Sequence, residues 1–305
     1  MSVLEVRGLT KRYAGKAAVE DLTFSVHLGQ IFGFLGPNGS GKTTTLGMIF
    51  GVIRPTSGEI ALFGRTTREA LASGRVGGTL EQPNLYPYLT GRENLKVVAT
   101  IKGLDDRSVA PALEAAGLSV SADREVKTYS LGMKQRLALA GAMLGDPELL
   151  IFDEPTNGLD PEGMREIREL IAQLAESGRT ILVSTHLLDE VEKICTHVAI
   201  LRRGRLQRCG AVKEFTGPDC LFRLCSDNVI QLSAAVSQYE FARNVRVEGG
   251  ALYLELVAGG PASLSRYLAG RGIYLEELSR QRRTLEQAFL AVTAEAGSED
   301  SGEAT

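Results

Sequence analysis

The chain has 305 residues and a hydrophobic content of 44%, which suggests about two domains with sizeable buried cores. Its formal net charge of −3 weighs against a surface that binds nucleic-acid backbones, although a local basic patch would be compatible with it. The first residues, MSVLEVRG, lack the apolar core of a signal peptide, and no stretch reaches the ~18 apolar residues that would cross a bilayer. If the protein works at a membrane, we expect another chain to supply the membrane-spanning part.

The cysteines and histidines argue against a metal centre. No CxxC pair is present, the three histidines are scattered, and the cysteine spacing does not fit a zinc site. We therefore expect reduced thiols rather than metal ligands. The cysteines all lie in the second half of the chain, at Cys195, Cys209, Cys220 and Cys225.

The N-terminal part of the chain predicts strands around one helix. VLEVRGLTKRY and AAVEDLTFSVHLGQ alternate like two strands joined by a turn at Ala14–Gly15. IFGFLG, at 31–36, is a continuous apolar run and is typical of a buried strand. It leads into a Gly-rich turn and the helical stretch KTTTLGMIFG, and EIALFG then predicts another short strand.

The middle of the chain predicts an alternation of helices and strands. Residues 85–145 indicate helices with intervening loops, and ELLIFDEP (148–155) and RTILVSTH indicate buried strands. Between those two strands lies an amphipathic helix with Pro161 in its first turn. The helix LLDEVEKIC and the hairpin HVAILRRGRLQRCG follow. This alternation predicts an α/β fold with a mostly parallel, covered sheet.

A second, smaller domain is predicted after Gly217–Pro218. Its segments indicate the order β-α-β-β-α-β of a ferredoxin-like domain, from CLFRLCS to IYLEELSR, with a closing helix TLEQAFLAVTAEA. The polar tail that follows predicts disorder. The predicted bounds are 1–217 for the first domain with a helical subdomain at about 85–147, 218–293 for the second domain, and 294–305 for the tail.

The stretch GPNGSGKT, at 36–43, predicts a phosphate-binding loop. It fits G-x-x-x-x-G-K-[ST] and lies between a buried strand and a helix, a context that disfavours a chance glycine turn. Glycines let the backbone wrap around a phosphate, and the N–H groups of the helix N-terminus point at the anion. Lys42 would place a charge on the β- and γ-phosphates, and Thr43 a hydroxyl on Mg²⁺. The predicted nucleotide-binding residues of this loop are Gly36, Pro37, Asn38, Gly39, Ser40, Gly41, Lys42, Thr43 and Thr44.

Two carboxylates and one histidine follow the next buried strands. Asp153 and Glu154 end LLIFDE at the edge where open α/β sheets bind ligands. Asp153 would hold Mg²⁺ through its water shell, and Glu154 would act as the general base on the attacking water. His186, at the end of VSTH, could bond the γ-phosphate or that water. A solvated turn and a structural histidine are the alternatives, which the upstream phosphate loop disfavours.

With YSLGMKQR (129–136) between these motifs, the chain resembles the ATP-binding subunit of an ABC transporter over about residues 3–215. Tyr129 to Met133 look like the signature loop of that family, in which Leu131 replaces the first glycine of the usual Ser-Gly-Gly and Ser130 and Gly132 stay in register. The resemblance implies a P-loop NTPase fold with a parallel sheet core, an antiparallel β subdomain and a helical subdomain.

The resemblance also implies roles for further residues. Two such subunits face head to tail, so Ser130 and Gly132 would meet the γ-phosphate of the ATP bound by the opposite subunit. Asp160, in NGLD (157–160), would lie in the loop through which the two sites communicate, and His186 matches the switch histidine. Tyr13 matches the aromatic residue that stacks on adenine, although a surface tyrosine on a strand is the alternative.

One segment departs from the family pattern. VGGTLEQPNLYPYLTGREN resembles the segment that carries a Mg²⁺-contacting glutamine and the contact surface for the membrane partner. The glutamine position falls on Glu81, with Gln82 beside it, and either side chain has an oxygen that could ligate the metal.

The implied function is that of an exporter motor. The LYPYLTGREN segment and the terminal TLEQAFL resemble the drug, antibiotic-peptide and lipid exporter branch. The expected ligands are ATP and Mg²⁺. The expected partners are a second, identical subunit and a permease, at the cytoplasmic face of the membrane, without nucleic acid. A soluble ABC-type ATPase acting on ribosomes or DNA is the alternative; its usual second nucleotide domain and long insertions do not occur here. Glu154 and His186 disfavour a module without turnover.

Overall fold

The structure is a computed structural model that describes residues 1–80, 84–216, 221–281 and 284–289. It divides into two compact units, one at Met1–Val212 and one at Lys213–Ala288. The predicted boundary at 217–218 lies outside the described residues, as does the predicted disordered tail. None of the described helices combines the length and the apolar character required to cross a bilayer.

The first unit contains two sheets and the helices that cover them. Its strands are β1 (Ser2–Tyr13), β2 (Lys16–His27), β3 (Ile31–Leu35), β4 (Ser57–Leu62), β5 (Arg65–Thr66), β6 (Val76–Thr79), β7 (Leu149–Asp153), β8 (Thr180–Thr185), β9 (His197–Arg202) and β10 (Arg205–Ala211). Its helices are α1 (Lys42–Ile49), α2 (Thr67–Ala72), α3 (Gly91–Ile101), α4 (Val109–Ala115), α5 (Leu131–Met143), α6 (Pro161–Glu176) and α7 (Leu188–Ile194), and α8 (Val212–Thr216) begins at its end.

The central sheet has the order β10-β9-β3-β8-β7-β6. Every pairing in it is parallel except that of β10 with β9, so the predicted mostly parallel sheet is confirmed. All residues of β3, β7 and β8 are buried, which explains why these strands are continuous apolar runs in the sequence. The carboxyl ends of these three neighbouring strands therefore meet at one edge of the sheet.

A second, antiparallel sheet of order β2-β1-β4-β5 packs against the central one. Phe24 of β2 lies between Phe32 and Phe34 of β3, with ring centroids 5.7 and 5.2 Å apart. Buried side chains of α1, among them Leu46 and Ile49, belong to the same core. Each such side chain contributes about 1.5–3 kcal/mol by burial. The helix that follows the phosphate loop is therefore firmly anchored.

Four elements in or at the end of the first unit were not predicted: β5, β6, α2 and α8. The strand β6 contains two glycines because a Cβ at Gly77 would lie 2.2 Å from the carbonyl oxygen of Ala142, and one at Gly78 would lie 2.2 Å from that of Ile151. Glycine in a strand commonly marks such a close approach of backbone. The short helix α2 begins with a capping box formed by Thr66 and Glu69.

The helical region between β6 and β7 agrees with the prediction in outline. The helix α3 starts at Gly91, after a capping box of Thr90 and Glu93, whereas residues 84–90 are not helical. Short 3₁₀ turns at Asp106–Ser108, Ser119–Ser121 and Val126–Thr128 connect the helices.

The second unit has the predicted ferredoxin-like order β-α-β-β-α-β. Its antiparallel sheet has the strand order β12-β13-β11-β14, and buried side chains of its two helices form the core with that sheet. The last strand is shorter than IYLEELSR, and the closing helix is described only to residue 289. The elements are β11 (Leu221–Cys225), α9 (Val229–Ser237), β12 (Ala242–Glu248), β13 (Ala251–Leu256), α10 (Gly260–Ala269) and β14 (Glu277–Arg280).

Candidate active site

The phosphate loop joins the end of β3 to the start of α1. Gly36 needs the absence of a side chain because a Cβ there would lie 2.4 Å from the Ser40 Oγ atom. Gly41 has a φ of 101°, and a Cβ on it would lie 2.7 Å from the carbonyl oxygen of Ala18. Both glycines therefore allow the tight path by which the backbone turns into the helix.

A cavity of about 340 Å³ lies over this loop. Six of the predicted loop residues line it, and so does Glu154. Gly36 and Ser40 are buried, and Pro37 is exposed. The lining residues are Ala18, Asn38, Gly39, Gly41, Lys42, Thr43, Thr44, Glu154 and Asn157.

One buried hydroxyl group in the loop has an unsatisfied hydrogen-bonding capacity. Ser40 is 2% exposed, and its Oγ atom has no hydrogen-bond partner within the described part of the chain. A buried polar atom without a partner costs about 1–3 kcal/mol. Such an atom within a glycine loop at a helix N-terminus fits the binding of a phosphate group.

The Lys42 side chain crosses this cavity towards the acidic strand. It is 6% exposed, and its ammonium group donates to the carbonyl oxygens of Gly36 at 2.8 Å and Pro37 at 3.4 Å. The same group forms an ion pair with Glu154, with 3.2 Å between Nζ and Oε1. The predicted phosphate-binding lysine and the predicted general base are therefore in direct contact.

The two acids at the end of β7 have different environments. Asp153 is 2% exposed, and the hydroxyl group of Ser184 donates a hydrogen bond to its Oδ1 atom. Glu154 is half-buried and has a φ of 47°, in the left-handed region that costs a non-glycine residue about 1–3 kcal/mol. Its backbone N–H donates to the Ser184 carbonyl oxygen and to Ser184 Oγ, both at 3.1 Å.

His186 follows β8 and completes a chain of contacts. Its Nδ1 atom lies 3.0 Å from Glu154 Oε2. Because an ionised carboxylate only accepts hydrogen bonds, Nδ1 carries the proton in this contact, and Nε2 of the neutral ring is then an acceptor. An ion pair between Lys42 and Glu154 and a hydrogen-bond contact between Glu154 and His186 thus form a continuous series beside the phosphate loop.

The oxygen donors of the site fit a magnesium ion bound together with phosphates. The Thr43 hydroxyl lines the cavity, and the Asp153 carboxylate lies at the end of β7, next to Glu154. Among the residues that the structure describes, no three His, Cys, Asp or Glu side chains cluster as a metal site. Mg²⁺ typically takes one or two carboxylates and completes its shell with phosphates and water. Glu81 and Gln82 lie outside the described residues.

The other predicted site residues do not line this cavity. Tyr13, at the end of β1, is 48% exposed, with the Lys11 ammonium 4.9 Å from its ring centroid. Ser130 is exposed and caps α5, since its Oγ accepts a hydrogen bond from the N–H of Met133. Each is open to solvent in the single chain.

The remaining two predicted residues lie where α5 and α6 begin. Asp160 is exposed and caps α6 by accepting a hydrogen bond from the N–H of Gly163 at 2.9 Å. A Cβ on Gly132 would lie 3.8 Å from the Cα of that same Gly163. The Leu131 side chain reaches to within 3.4 Å of where a Cβ on Gly158 would be. The signature loop and the NGLD loop are therefore adjacent in one chain.

Sequence reasoning did not identify three residues of the site. Asn157 and Ala18 line the cavity, and Ser184 bonds both acids. Asn157 lies in NGLD, so the motif itself indicated it. Ser184 is a polar residue near the carboxyl end of an apolar strand, which is a signal that TILVST contains.

A second, mostly apolar cavity of about 410 Å³ lies beside the helical region. Phe50, Leu85, Leu95 and Leu137 are among its lining residues, and Tyr86 at its border is exposed. Lys102 also lines it and donates to the carbonyl oxygens of Gly141, Ala142 and Leu144 at the end of α5. Burial lowers the pKa of Lys102.

The structure describes three of the four cysteines. Cys195, Cys209 and Cys225 form no disulfide within the described residues, and Cys220 lies outside them. Cys195 is buried, and this burial raises the pKa of its thiol. A thiol with a raised pKa is a poor nucleophile, so we assign it no chemical role.

Comparison with known proteins places these motifs in a family. The ABC transporter family matches residues 19–157. The chain is 36% identical over 299 residues to the uncharacterized ABC transporter ATP-binding protein YhcH of Bacillus subtilis (strain 168), covering 96% of this chain and 97% of that protein. It is 46% identical over 211 residues to the bacitracin transport ATP-binding protein BcrA of Bacillus licheniformis, covering 67% of this chain and 68% of that protein.

A solved structure agrees with the sequence comparison. It is the dimeric post-hydrolysis state of an ATP-binding cassette bound to ADP and phosphate, with a TM-score of 0.62 and 25% identity, covering 68% of this chain and 98% of that one. ATP binding with Mg²⁺ and ATP hydrolysis are characteristic of such subunits, and the phosphate loop and the acid pair fit both. The chain therefore belongs to the family of ATP-binding, ATP-hydrolysing subunits of ABC transporters.

Proposed function

We propose that this chain is the motor of an exporter, in which two copies close head to tail around two ATP molecules and drive a separate membrane permease. The observation that carries the proposal is the series of contacts from Lys42 through Glu154 to His186 beside the glycine loop. It joins a phosphate-binding cation, a general base and a histidine within one site.

The binding step follows from the loop. The backbone N–H groups at the start of α1 and the Lys42 ammonium would hold the β- and γ-phosphates, and the Ser40 hydroxyl would gain the partner that it lacks within the described chain. Thr43 and Asp153 would hold Mg²⁺, which neutralises charge on the phosphate oxygens.

The hydrolytic step follows from the acid pair. Lys42 has Glu154 as an ionic partner, and phosphate oxygens would compete for the same ammonium group. As Lys42 shifts to the phosphates, the Glu154 carboxylate becomes available to accept a proton from the attacking water. His186 keeps that carboxylate oriented through Nδ1, and its Nε2 atom, which points away from Glu154, can accept a hydrogen bond from another group of the site.

The Glu154→Gln variant tests the role of the base. We expect ATP binding to persist and turnover to fall at least ~10²-fold, the scale for loss of a general base. An ATP-bound dimer should then accumulate on gel filtration. Glu148→Gln is the matched control at the opposite end of β7, where the exposed ion pair of Glu148 with Arg75 is worth about 0–1 kcal/mol. Turnover of Glu154→Gln close to that of the control would remove Glu154 from this role.

The position of the signature loop supports a composite site. Ser130 and Asp160 lie at the exposed starts of two adjacent helices and do not line the cavity around Lys42. The N–H groups of a helix start attract anions. The ADP-bound and phosphate-bound relative is dimeric. We therefore assign Ser130 and Gly132 to the γ-phosphate held by the second subunit, and Tyr13 to its own subunit's adenine.

The apolar cavity beside α3 supports a permease partner. Tyr86 is an exposed aromatic residue that lines this cavity together with Leu85, Leu95 and Val98. Tyr88, two residues further along the chain, is also exposed. Exposed apolar surface of this kind is typical of protein interaction sites. The partner would hold the chain at the cytoplasmic face of the membrane as a peripheral subunit. Since BcrA is named for bacitracin transport, we propose export of a peptide antibiotic or a similar amphiphile.

Co-purification tests the partnership. A multi-helix membrane protein should co-purify with the wild-type chain, and Tyr88→Ala should weaken that association without changing basal ATP hydrolysis. Val120→Ala is the control, because Val120 is a fully exposed apolar residue elsewhere in the helical region. Equal recovery of the membrane protein with both variants would contradict this docking surface.

A further inference from the structure

One buried hydroxyl group contacts both acids of the candidate site. Ser184 lies on β8, with its Cα paired to that of Asp153 on β7, and its side chain has no exposure to solvent. Its Oγ donates to Asp153 Oδ1 and accepts from the backbone N–H of Glu154 at 3.1 Å. The donor and one acceptor site of this single hydroxyl are therefore both used at the site.

Each of the two hydrogen bonds of the Ser184 hydroxyl constrains one acid of the site. A carboxylate as buried as that of Asp153 has lost its contacts with water and needs a hydrogen-bond donor in their place, and within the described residues Ser184 is the side chain that supplies one. Glu154 has a left-handed backbone, and strained residues of this kind persist only where surrounding bonds hold them. The bonds from its N–H to Ser184 are such constraints.

We infer that Ser184 is a positioning residue that orients the magnesium-holding carboxylate and the general base together. The inference rests on the proposed roles of Asp153 and Glu154. The hydroxyl group does not touch ATP in this account. It fixes which Asp153 oxygen stays inside the protein and keeps the Glu154 backbone in the conformation that directs its side chain to Lys42 and His186.

A purely structural role for Ser184 predicts a different outcome, and a second buried hydroxyl residue on the same strand, Thr180, distinguishes the two roles. Thr180 begins β8, is also without exposure to solvent, and accepts a hydrogen bond from the N–H of Gly29 at 2.9 Å. Ser184→Ala and Thr180→Val each remove one buried hydroxyl from β8. The first lies at the carboxyl end of the strand with the site, and the second at the opposite end.

The experiment measures both variants with three readouts. These are turnover, the Mg²⁺ concentration that gives half-maximal turnover, and the affinity for a fluorescent ATP analogue with Mg²⁺ and in EDTA. For Ser184→Ala we expect about tenfold or greater losses in turnover and in the Mg²⁺-dependent part of nucleotide affinity, the usual scale for a group that orients a metal ligand. Affinity in EDTA should change less than about twofold, because the phosphate loop is intact.

Thr180→Val should lower thermal stability without changing any of the three readouts. Ser184→Cys provides a second test if the alanine variant does not fold, since a thiol keeps the size of the side chain but donates weakly. It should show losses in the same direction.

The inference is overturned if Ser184→Ala, or Ser184→Cys in its place, matches Thr180→Val in turnover and Mg²⁺ dependence. In that case an inactive Glu154→Gln would leave the proposed function standing. An active Glu154→Gln would instead remove the proposed function itself.

Discussion

The acid edge of the central sheet and the adjoining starts of α5 and α6 differ in how their polar side chains are used. At the acid edge, Glu154 contacts both Lys42 and His186, so their arrangement is explained by a shared chemical site. At the helix starts, Ser130 and Asp160 each accept a hydrogen bond from their own helix. An N-cap alone is sufficient to account for both residues.

This difference determines which substitutions are informative. Truncating a side chain at the acid edge removes a group that would take part in the reaction. Truncating Ser130 or Asp160 also removes a helix cap worth about 1 kcal/mol. A loss of activity in Ser130→Ala would therefore not separate a weakened helix from a weakened site. The second region requires substitutions that keep the cap and change only what the residue presents to solvent.

The largest effect is expected at the acid edge. Lys42→Ala removes the cation that meets both the phosphates and Glu154, so we expect kcat/KM for ATP to fall by about 10²–10³-fold or more. Equilibrium binding of an ATP analogue should weaken in parallel. Lys193→Ala is the control, since Lys193 is an exposed lysine paired with Glu190 outside the site. Unchanged nucleotide affinity in Lys42→Ala would contradict the phosphate-loop assignment.

A smaller effect is expected at the start of α5, from a pair of isosteric variants. Ser130→Asn and Ser130→Asp both keep an N-cap acceptor, and the melting temperatures should be similar because Asn, Asp and Ser cap helices about equally well. Only the aspartate adds a negative charge. If this position faces the γ-phosphate of the other subunit, turnover should fall about 10–10²-fold further in Ser130→Asp than in Ser130→Asn. Equal turnover would indicate that Ser130 acts as a cap alone.

Asp160→Asn should have a milder effect. It also preserves the cap of α6, so we expect the free energy of unfolding to change by less than about 0.5 kcal/mol. Loss of its charge should lower turnover only a few-fold, about 2–5-fold, as expected for a residue that couples two sites rather than reacting. The measurement is the dependence of rate on ATP concentration, in which the cooperativity should fall. Unaltered rate and cooperativity would limit Asp160 to its helix.

The smallest effect is expected from removing the second unit. A chain that ends after Thr216 should still bind ATP with an affinity within about twofold of the full chain, because every described residue that lines the cavity around Lys42 belongs to the first unit. Isothermal titration with an ATP analogue measures this. We propose that the second unit serves dimer support or regulation. A truncated chain that folds but no longer binds ATP would contradict this division of roles.

Local patterns carried the predictions that were confirmed. The apolar run 31–35, the glycine turn and the helix after it are contiguous in sequence, so their order alone predicts the phosphate loop. The strand β6 could not be predicted in this way, because the reason for Gly77 is the carbonyl group of Ala142, which is distant in sequence. The capping box of Thr66 and Glu69, by contrast, is a local signal that the sequence contains.

The residues of the candidate site also differ in whether local sequence patterns can predict their positions. Parallel strands bring Asp153 and His186 to one edge of the sheet, which buried-strand patterns are able to predict. The contact between Lys42 and Glu154 and the bonds of Ser184 depend on strand register and on side-chain conformations. Those are set by packing between segments far apart in the chain, and sequence spacing does not contain them. The choice between Glu81 and Gln82 stays a prediction.

The central claim is that each subunit completes the ATP site of the other. It is tested most directly by mixing Ser130→Asp subunits with Lys42→Ala subunits. In a head-to-tail mixed dimer both changes fall on one composite site, and the other site has an intact phosphate loop and an intact signature loop. From an equal mixture we expect roughly a quarter of the wild-type ATPase rate, since half of randomly assorted dimers are mixed and each has one intact site. A mixture no more active than the two variants measured separately would contradict the claim.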